Sequence, residues 1–298
     1  MSQLNTPYTG RFAPSPTGPL HIGSLIGALA SFLDARAASG RWLLRMENID
    51  PPREIAGADQ RILNTLRRHG LHWDGEVLEQ RSRHSAYNDA LALLLNGGHA
   101  FYCSCSRRQL RAAGGLHHGE CTAAVDQHDC AIRLRVPNAL ITATDRLQPT
   151  LRQHLLNEVG DFTLKRRDGH YAYQLAVVVD DAFQEISHVV RGSDLWVSTP
   201  RQLYLQSLLY LTTASYLHFP VILGDDGHKL SKQTFASAVD DSRACENLLL
   251  ALRFLNQAQP PQTFATSTTR ILQWGVEHWN PEAIPRAIGV PQSVFYKN

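Results

Sequence analysis

The chain has 298 residues, 43% of them hydrophobic and 19% charged, and its formal net charge at pH 7 is +2. These values are ordinary for a globular protein of one large domain with an insertion or two, and any contact with nucleic acid must come from local basic patches. The polar N-terminus and the lack of an apolar run of about 18 residues exclude a recognisable signal peptide or transmembrane helix. We therefore expect a cytoplasmic protein that does not enter the membrane.

The N-terminal third has the pattern of an α/β fold. The predicted strands are Tyr8 to Phe12 and Trp42 to Met46, and the predicted helices are Ile22 to Ala38, Ile55 to His69 and Ser82 to Leu95. The short apolar strand Trp42 to Met46 closes a βαβ unit and is typical of a parallel sheet, whose crossover should be right-handed. The last of these helices is expected to begin at a Ser cap and to end at Asn96-Gly-Gly98.

From Phe101 to about Gly169 cysteines, histidines and arginines dominate, and sustained amphipathic periodicity returns only at Leu151 to Leu156. We interpret this stretch as an insertion in the sheet fold. The alternating apolar run Gln174 to Val179 then returns the chain to the core. The further predicted elements are Ile186 to Val190 (strand), Pro200 to Leu211 (helix), Phe219 to Leu223 (last core strand) and a mainly helical region over residues 235–298.

One segment near the N-terminus has the features of a ligand-binding turn: Arg11-Phe-Ala-Pro-Ser-Pro-Thr-Gly18-Pro-Leu-His21-Ile-Gly23-Ser24. Its prolines fix φ, and its glycines allow backbone to come close to a ligand. The free N–H groups at the start of the following helix form an anion site. On these residues alone, an ordinary strand-to-helix loop is an equal alternative.

A second segment, Lys229-Leu-Ser231-Lys232-Gln233, follows an apolar run and a Gly-rich turn. The two segments together resemble the HIGH and KMSKS signatures of class I aminoacyl-tRNA synthetases. Three segments between them resemble further signatures of the glutamate enzymes in the family's order: Arg45 to Arg53, Tyr173 to Asp181 and Val189 to Leu195. The resemblance extends over roughly residues 8 to 235.

This resemblance implies a Rossmann-like α/β catalytic domain with a zinc-containing insertion and a short helical C-terminal region. The two halves of the catalytic domain would span residues 1–100 and 171–235. The inserted zinc-binding, acceptor-type subdomain would span 101–170, and the helical region would span 236–298 without an anticodon-binding domain.

The resemblance also implies an ATP site with His21 and Lys232 as catalytic residues, because both would bind phosphate oxygens as pyrophosphate leaves. Gly23, Lys229 and Ser231 would complete the site, with Mg²⁺ bridging phosphate oxygens. The alternatives are that His21 merely caps its helix and that the lysine loop is a solvated surface.

The amino-acid pocket can be argued from charge. Glutamate carries two carboxylates and one ammonium, so Arg11 and Arg191 suit the carboxylates, Glu47 the ammonium, and Tyr173 adds a hydroxyl. The resemblance assigns glutamate binding to these four residues and to Phe12-Ala13-Pro14-Ser15. Two arginines favour glutamate over glutamine, because a neutral amide would leave a guanidinium unpaired.

These assignments have an alternative, and the sequence differs from the family's signatures at three positions. The charges could instead form a salt-bridged framework, in which Glu47 would pair with Arg45 or Arg53. Asn48 stands where the family usually has Asp, so the role of that carboxylate is not carried over. Leu230 and Gln233 replace the Met and the final Ser of the second signature, and the latter change puts only a loop hydrogen bond in doubt.

Cys103-Ser-Cys105 and Gly114-Gly-Leu-His117-His118-Gly-Glu-Cys121 have the character of a zinc site, and five cysteines with three clustered favour a metal over disulfides. The glutamyl-Q-tRNA(Asp) synthetases, a subgroup of the family, carry C-x-C…Y-x-x-x-C here. We predict one structural Zn²⁺ held by Cys103, Cys105, His117 and Cys121. His118 and Cys130 are alternative fourth ligands, and Cys130 and Cys245 are otherwise expected to be buried thiols.

The short region after Gln233, the zinc insertion and the Lys-Leu-Ser-Lys-Gln variant together resemble this subgroup. The resemblance implies that L-glutamate and ATP form glutamyl-adenylate without tRNA, and that glutamate is then joined to queuosine at the wobble position of tRNA(Asp). The alternatives are a minimal synthetase that charges the 3′ end of tRNA(Glu), and a silent paralogue that only binds glutamate, ATP or RNA. A monomer is the expected state.

Two basic clusters are candidates for contact with RNA phosphates: Arg107-Arg108-Gln-Leu-Arg111 and Lys165-Arg166-Arg167. If they bind, the affinity should fall steeply with salt. The alternative is a solvated charged surface.

Overall fold

The structure is a computed structural model that describes residues 7–112, 114–118, 121, 129–224, 227, 229 and 237–295, except for the side chains of residues 107, 294 and 295. The predictions for Leu230, Ser231, Lys232 and Gln233 lie outside these residues. Among the described helices, none combines the length and the apolar character that a membrane crossing requires.

The described chain contains both strands and helices, in the mixed order of an α/β protein. The strands are β1 (Thr9–Phe12), β2 (Arg41–Met46), β3 (Leu78–Glu79), β4 (Ala100–Cys103), β5 (Ala131–Leu134), β6 (Leu140–Ala143), β7 (Leu151–His154), β8 (Phe162–Lys165), β9 (His188–Gly192), β10 (Ser215–Phe219), β11 (Val221–Leu223) and β12 (Gly289–Pro291). The helices are α1 (Ile22–Ala37), α2 (Ala58–Arg68), α3 (His84–Asn96), α4 (Arg107–Ala112), α5 (Leu155–Glu158), α6 (Tyr173–Phe183), α7 (Thr199–Leu208), α8 (Ala244–Phe254), α9 (Thr268–Glu277) and α10 (Gln292–Phe295).

The strands that hold the candidate site residues Arg11 and Arg191 each pair in parallel with a neighbouring strand. β1, β2 and β3 pair in parallel in that order, and β9 pairs in parallel with β10 so that Arg191 stands opposite His218. The backbone N–H of Ser187 donates to the carbonyl of Thr9 at 3.0 Å, which brings the start of β9 beside β1. The predicted parallel βαβ unit at the N-terminus is confirmed.

Helix α1 packs the apolar stripe of its sequence into the main core. Leu25, Leu29 and Leu33 are fully buried, in one cluster with Leu252 of α8 and Ile271 of α9. Because burial of one such side chain stabilises by about 1.5–3 kcal/mol, the cluster holds the start of α1 firmly against the sheet. Helices α8 and α9 of the C-terminal region therefore support the N-terminal motif.

The region interpreted as an insertion is built mainly of antiparallel strands. β4, β5 and β8 form one sheet, and β6 pairs with β7. Its buried Leu134 and Leu164 share a core with Leu91 of α3, Leu175 of α6 and Leu205 of α7. The apolar faces of these strands are thus buried against helices that precede and follow the region. The predicted domain boundaries are still a prediction.

Three element predictions are wrong in detail. The run Gln174 to Val179 does return the chain to the core, but the strand that its alternation indicates is wrong: the run lies in helix α6, which buries four successive residues from Leu175 to Val178 between neighbouring elements. Ser82 does not cap α3; it ends a 3₁₀ turn, and its hydroxyl donates to the carbonyl of Glu79. The predicted strand Phe219 to Leu223 is divided at Pro220, which has no N–H to donate.

Candidate active site and metal cluster

A cavity of about 390 Å³ opens where β1 and β9 end. This volume lies in the usual range for small-molecule sites. The cavity is lined by every described residue that was predicted to bind glutamate or ATP: Arg11, Phe12, Ala13, Pro14, Ser15, His21, Gly23, Glu47, Tyr173, Arg191 and Lys229.

The proline-rich loop between β1 and α1 is fixed by backbone hydrogen bonds on both sides. The carbonyl of Pro14 accepts from the N–H of Glu47, and the carbonyl of Leu20 accepts from the N–H of Val239, both at 2.9 Å. Gly18 has a φ of 135°, a conformation that favours glycine. Contacts within the protein therefore define the shape of the loop.

His21 is the N-cap residue of α1. Its Nδ1 accepts from the backbone N–H of Ser24 at 3.3 Å, and its Nε2 lies 3.0 Å from the Ser24 hydroxyl. A Cβ at Gly23 would lie 3.1 Å from the His21 ring, so glycine leaves the ring its space. The capping role is thus present, and the ring also lines the cavity; its action on ATP stays a prediction.

Arg11 belongs to a buried ion network. Its Nε donates to Oδ1 of Asp181 at 3.1 Å, and Nη2 of Arg45 donates to the same oxygen at 2.8 Å. Burial opposes the ionisation of Asp181, but Arg11 and Arg45 together hold the pKa of this carboxyl below its usual range. The network supplies Arg11 with a counterion before substrate binds.

Glu47 lies at the edge of this network, with Oε1 3.5 Å from Nη2 of Arg45. The framework alternative for Glu47 is therefore realised with Arg45, whereas Arg53 pairs with Asp50. Burial raises the pKa of Glu47, and the attraction of Arg45 and Arg11 only partly offsets it. Glu47 still lines the cavity and can reach a ligand there.

Charge is not balanced in this part of the described structure. Among the described residues that line the cavity, Arg11, Arg191 and Lys229 are cationic, and Glu47 and Asp194 are anionic. The excess positive charge suits a ligand with one net negative charge. Glutamate, with two carboxylates and one ammonium, is such a ligand.

Arg191 is held by three polar side chains. Its Nη1 donates to the Tyr173 hydroxyl at 3.3 Å, its Nη2 to the Thr199 hydroxyl at 2.9 Å, and its Nε to Nε2 of His218 at 2.8 Å. Burial raises the pKa of Tyr173, which keeps it a neutral phenol at physiological pH. The guanidinium therefore meets the cavity in one orientation.

The sequence analysis did not identify the aspartates that pair with the cationic site residues. Nζ of Lys229 lies 2.5 Å from Oδ2 of Asp194, and Asp181 balances Arg11 as described above. Both aspartates stand in segments that resemble family signatures, so their position was a signal. Asp145 and His218, which are connected to Arg191, lie outside those segments.

The predicted metal ligands form one cluster. One ligand atom from each of Cys103, Cys105, His117 and Cys121 lies within 4.8 Å of all the others. Sulfurs bound tetrahedrally at about 2.3 Å would be about 3.8 Å apart, close to the 3.4 Å between Sγ of Cys105 and Sγ of Cys121. This donor set and spacing fit Zn²⁺.

Neighbouring groups also suit a zinc site. Oδ2 of Asp161 lies 2.9 Å from Nδ1 of His117, which leaves Nε2 as the ligand atom. Nε of Arg133 donates to Sγ of Cys103 at 3.3 Å, and this cation can offset the charge of a thiolate. Because the cluster is complete with His117, it does not need either alternative fourth ligand.

The other predictions for histidine and cysteine need one correction. His118 is exposed and lies outside the cluster, as does Cys130. Cys130 and Cys245 are only half-buried, so the expectation that they are buried thiols is wrong. Cys245 packs against the edge of the main core cluster, where part of its side chain still meets solvent.

The second basic cluster is partly satisfied within the protein. Arg166 pairs with Asp50 and Asp168, and Arg167 donates to the carbonyl of Ser104. Arg108 and Arg111 of the first cluster are exposed. Contact of either cluster with RNA stays a prediction.

Comparison with known proteins agrees with this geometry. The family model for tRNA synthetases class I (E and Q), catalytic domain, matches residues 8–256. Proteins named glutamyl-Q tRNA(Asp) synthetase from Ectopseudomonas mendocina, Pseudomonas fluorescens and Pseudomonas aeruginosa are 52%, 51% and 51% identical. These alignments cover 95%, 98% and 97% of this chain and 97%, 98% and 99% of the relatives.

The fold is also similar to solved structures. A glutamate tRNA ligase from Elizabethkingia meningosepticum superposes with a TM-score of 0.79 at 21% identity, over 96% of this chain and 67% of that one. At this identity the likeness concerns the fold alone. It confirms the predicted α/β class I catalytic fold.

Proposed function

The chain belongs to the glutamyl-Q tRNA(Asp) synthetases within the class I tRNA synthetases, and we propose that it activates L-glutamate with ATP and transfers it to queuosine of tRNA(Asp). The observation that carries the chemistry is the cavity in which Arg11, Arg191, Glu47 and Tyr173 converge beside the start of α1. The proposed acceptor, queuosine of tRNA(Asp), is taken from the name of the relatives. They are about 51% identical to this chain, and the alignments cover nearly the whole length of both proteins.

In the proposed complex, the carboxylates of glutamate lie against Arg11 and Arg191, and its ammonium lies against Glu47. Tyr173 adds a neutral hydroxyl, and the loop Phe12-Ala13-Pro14-Ser15 forms the wall. The positive excess of the cavity matches the net charge of glutamate. Glutamine, without that charge, would leave one guanidinium without an anion, which disfavours it.

Activation then needs positioning and charge stabilisation rather than a protein nucleophile. A carboxylate oxygen of glutamate attacks the α-phosphorus of ATP, the bond to the β-phosphate oxygen breaks, and pyrophosphate leaves. His21, the N–H groups at the start of α1 near Gly23, and Lys229, Ser231 and Lys232 are the proposed partners of the phosphates. We propose that Mg²⁺ binds together with ATP and would offset part of the negative charge of the phosphates.

Transfer completes the reaction. A hydroxyl oxygen of the queuosine cyclopentene ring attacks the acyl carbon of glutamyl-adenylate. The new ester bond forms, the acyl–phosphate bond breaks, and AMP and a proton are released. This reaction places the anticodon loop of tRNA(Asp) at the mouth of the cavity, in the cytoplasm where tRNA is found.

We assign the zinc a structural role. The cluster of Cys103, Cys105, His117 and Cys121 would hold one Zn²⁺ where the chain between β4 and β5 has little apolar sequence to hold it. When bound, the ion supplies rigid links between four points of the loop. No catalytic step is assigned to these residues.

The test is transfer of labelled glutamate to purified tRNA(Asp) with and without queuosine, with tRNA(Glu) alongside. We expect label only on queuosine-containing tRNA(Asp), and pyrophosphate exchange that depends on glutamate without any tRNA. Label on tRNA(Glu) would instead establish the minimal synthetase. Absence of both exchange and labelling would favour the silent paralogue.

A further inference from the structure

Two buried residues that do not line the cavity determine how Arg191 faces it. We propose that His218 and Asp145 are positioning residues that orient Arg191 for recognition of glutamate. The inference rests on the proposed function, because it assumes that Arg191 binds a carboxylate of glutamate.

The first step is the contact between Arg191 and His218. The two residues are register partners on the parallel strands β9 and β10, and the His218 side chain is completely buried. Nε of Arg191 lies 2.8 Å from Nε2 of His218. An arginine nitrogen can only donate, so Nε2 must offer its lone pair and the ring proton must reside on Nδ1.

The second step is the contact that fixes this tautomer. Oδ2 of Asp145 lies 2.6 Å from Nδ1 of His218 and accepts a hydrogen bond from its N–H. Oδ1 accepts from the backbone N–H groups of Leu147 and Gln148 at 2.9 and 2.8 Å. The carboxylate is thus held by the backbone, and its side chain is only 1% exposed.

The third step is the consequence for the guanidinium. With Nε bound to His218, the planar fork cannot turn about its own axis without losing a buried hydrogen bond. Nη1 and Nη2 are then directed to Tyr173 and Thr199 and toward the cavity. Since Asp145 lies between β6 and β7, the region interpreted as an insertion acts on the amino-acid pocket through His218 and Arg191.

Burial is consistent with this chain of contacts. It lowers the pKa of His218 to about 4, an effect that Asp145 opposes and that Arg191 and Arg11 reinforce. His218 is therefore neutral at physiological pH and able to accept from Arg191. A protonated ring would instead direct an N–H at the guanidinium.

The test uses glutamate-dependent pyrophosphate exchange without tRNA. In D145N the new amide would donate to Nδ1 of His218, which would move the ring proton to Nε2 and set two donors against each other. We expect the KM for glutamate to rise about 10- to 100-fold, as for loss of a hydrogen bond to a charged group. The kcat and the KM for ATP should change little.

A second variant separates positioning from mere structural support. In H218Q the amide oxygen can accept from Arg191 without any tautomer requirement, so we expect a KM near that of the wild type. Adding D145N to H218Q should then leave the KM unchanged. A purely structural role predicts instead that the two losses add.

The matched control is D74N. Asp74 is also a carboxylate that accepts from a side chain, Arg36, and from a backbone N–H, that of Trp42, but in the described structure it does not line the cavity and has no contact with the segment around Asp145. We expect D74N to reduce stability without changing the KM for glutamate. If D145N does not fold, H218L against H218Q decides, because only the acceptor-bearing side chain should keep the KM low.

Three results would overturn the inference: an unchanged KM in D145N, an equal rise in D74N, or additive losses in the double variant. Each of them would leave the proposed function intact, provided that the wild type shows glutamate-dependent exchange. If the wild type shows no exchange, the proposed function fails and this inference fails with it.

Discussion

Arg11 donates its Nε–H to Oδ1 of Asp181 over 3.1 Å, and the two side chains are only 4% and 9% exposed. The cation proposed to hold glutamate is therefore paired with a carboxylate of the protein before substrate arrives. A buried charge without a partner would be costly, and this pairing keeps the guanidinium charged and in place. Glutamate would bind by joining an existing network.

The first prediction concerns the stability of that network. In D181N, Arg11 and Arg45 lose their shared counterion, and the free energy of unfolding should fall by about 3–5 kcal/mol. Urea unfolding at neutral pH measures this change. D168N is the matched control, because Asp168 forms a half-exposed pair with Arg166, and such pairs contribute only about 0–1 kcal/mol.

The same substitution has a pH signature. The folded-state pKa of Asp181 lies below its unfolded value, so its contribution is present above the unfolded pKa and is lost as the pH falls through the folded pKa. We expect the stability difference between wild type and D181N to shrink in strong acid. A difference that is absent at neutral pH, or that grows in acid, would contradict the ion-network argument.

How far the sequence predicts this site depends on where each partner lies in the chain. Arg11, Glu47, Tyr173 and Arg191 could be placed together because their segments resemble known signatures in a fixed order. Asp145 could not, because its approach to His218 depends on packing between distant segments that no local pattern encodes.

The second prediction concerns Glu47. Burial raises its pKa, so protonation should remove its attraction for the glutamate ammonium at a higher pH than an ordinary carboxyl would. We expect kcat/KM for glutamate in pyrophosphate exchange to fall as the pH is lowered through this raised pKa. The KM for ATP, measured in parallel, should not follow the same profile.

E47Q tests that assignment. The variant should have a KM for glutamate about 10- to 100-fold higher than the wild type, as expected for loss of a charge-assisted hydrogen bond. It should also lack the fall in kcat/KM for glutamate at acid pH. If the profile persists in E47Q, a different group titrates and Glu47 belongs only to the framework with Arg45.

The secondary structure, too, could be predicted from the sequence only in part. Helix α1 was predicted within one residue because its apolar stripe and its start signal agree. Helix α6 was not, because Val177, Val178 and Val179 favour a strand locally while Asp180 and Asp181 need inward positions beside arginines. Tertiary ion pairs overrode local propensity there.

The third prediction concerns zinc. In D161N the amide oxygen can still accept a hydrogen bond from the N–H of Val136. The amide NH₂ then faces Nδ1 of His117 and cannot accept a hydrogen bond from it. Loss of such a partner typically weakens metal binding about 10- to 100-fold. Competition with a chromogenic chelator, on protein purified with zinc, measures the affinity directly and does not depend on enzyme activity.

H118Q is the control for that experiment, because His118 is an exposed neighbour of the ligand and lies outside the cluster. It should hold zinc as the wild type does. Equal zinc affinity in D161N and wild type would show that His117 does not need Asp161. Protein that contains no zinc when prepared without chelator would contradict the metal assignment itself.

The last prediction concerns Lys232, whose proposed role is to stabilise charge as pyrophosphate leaves. Removing one group of this kind from a preorganised site typically costs about 100- to 1000-fold in kcat, so K232A should slow pyrophosphate exchange by at least that order. Glutamate binding, measured by calorimetry, should be largely retained, because that contact involves the arginines and Glu47. K165A is the control, since Lys165 lies over the Tyr171 ring, away from the cavity. Exchange in K232A equal to that in K165A would refute the assignment of this segment to the ATP site, whereas loss of exchange together with loss of glutamate binding would indicate damage to the whole pocket.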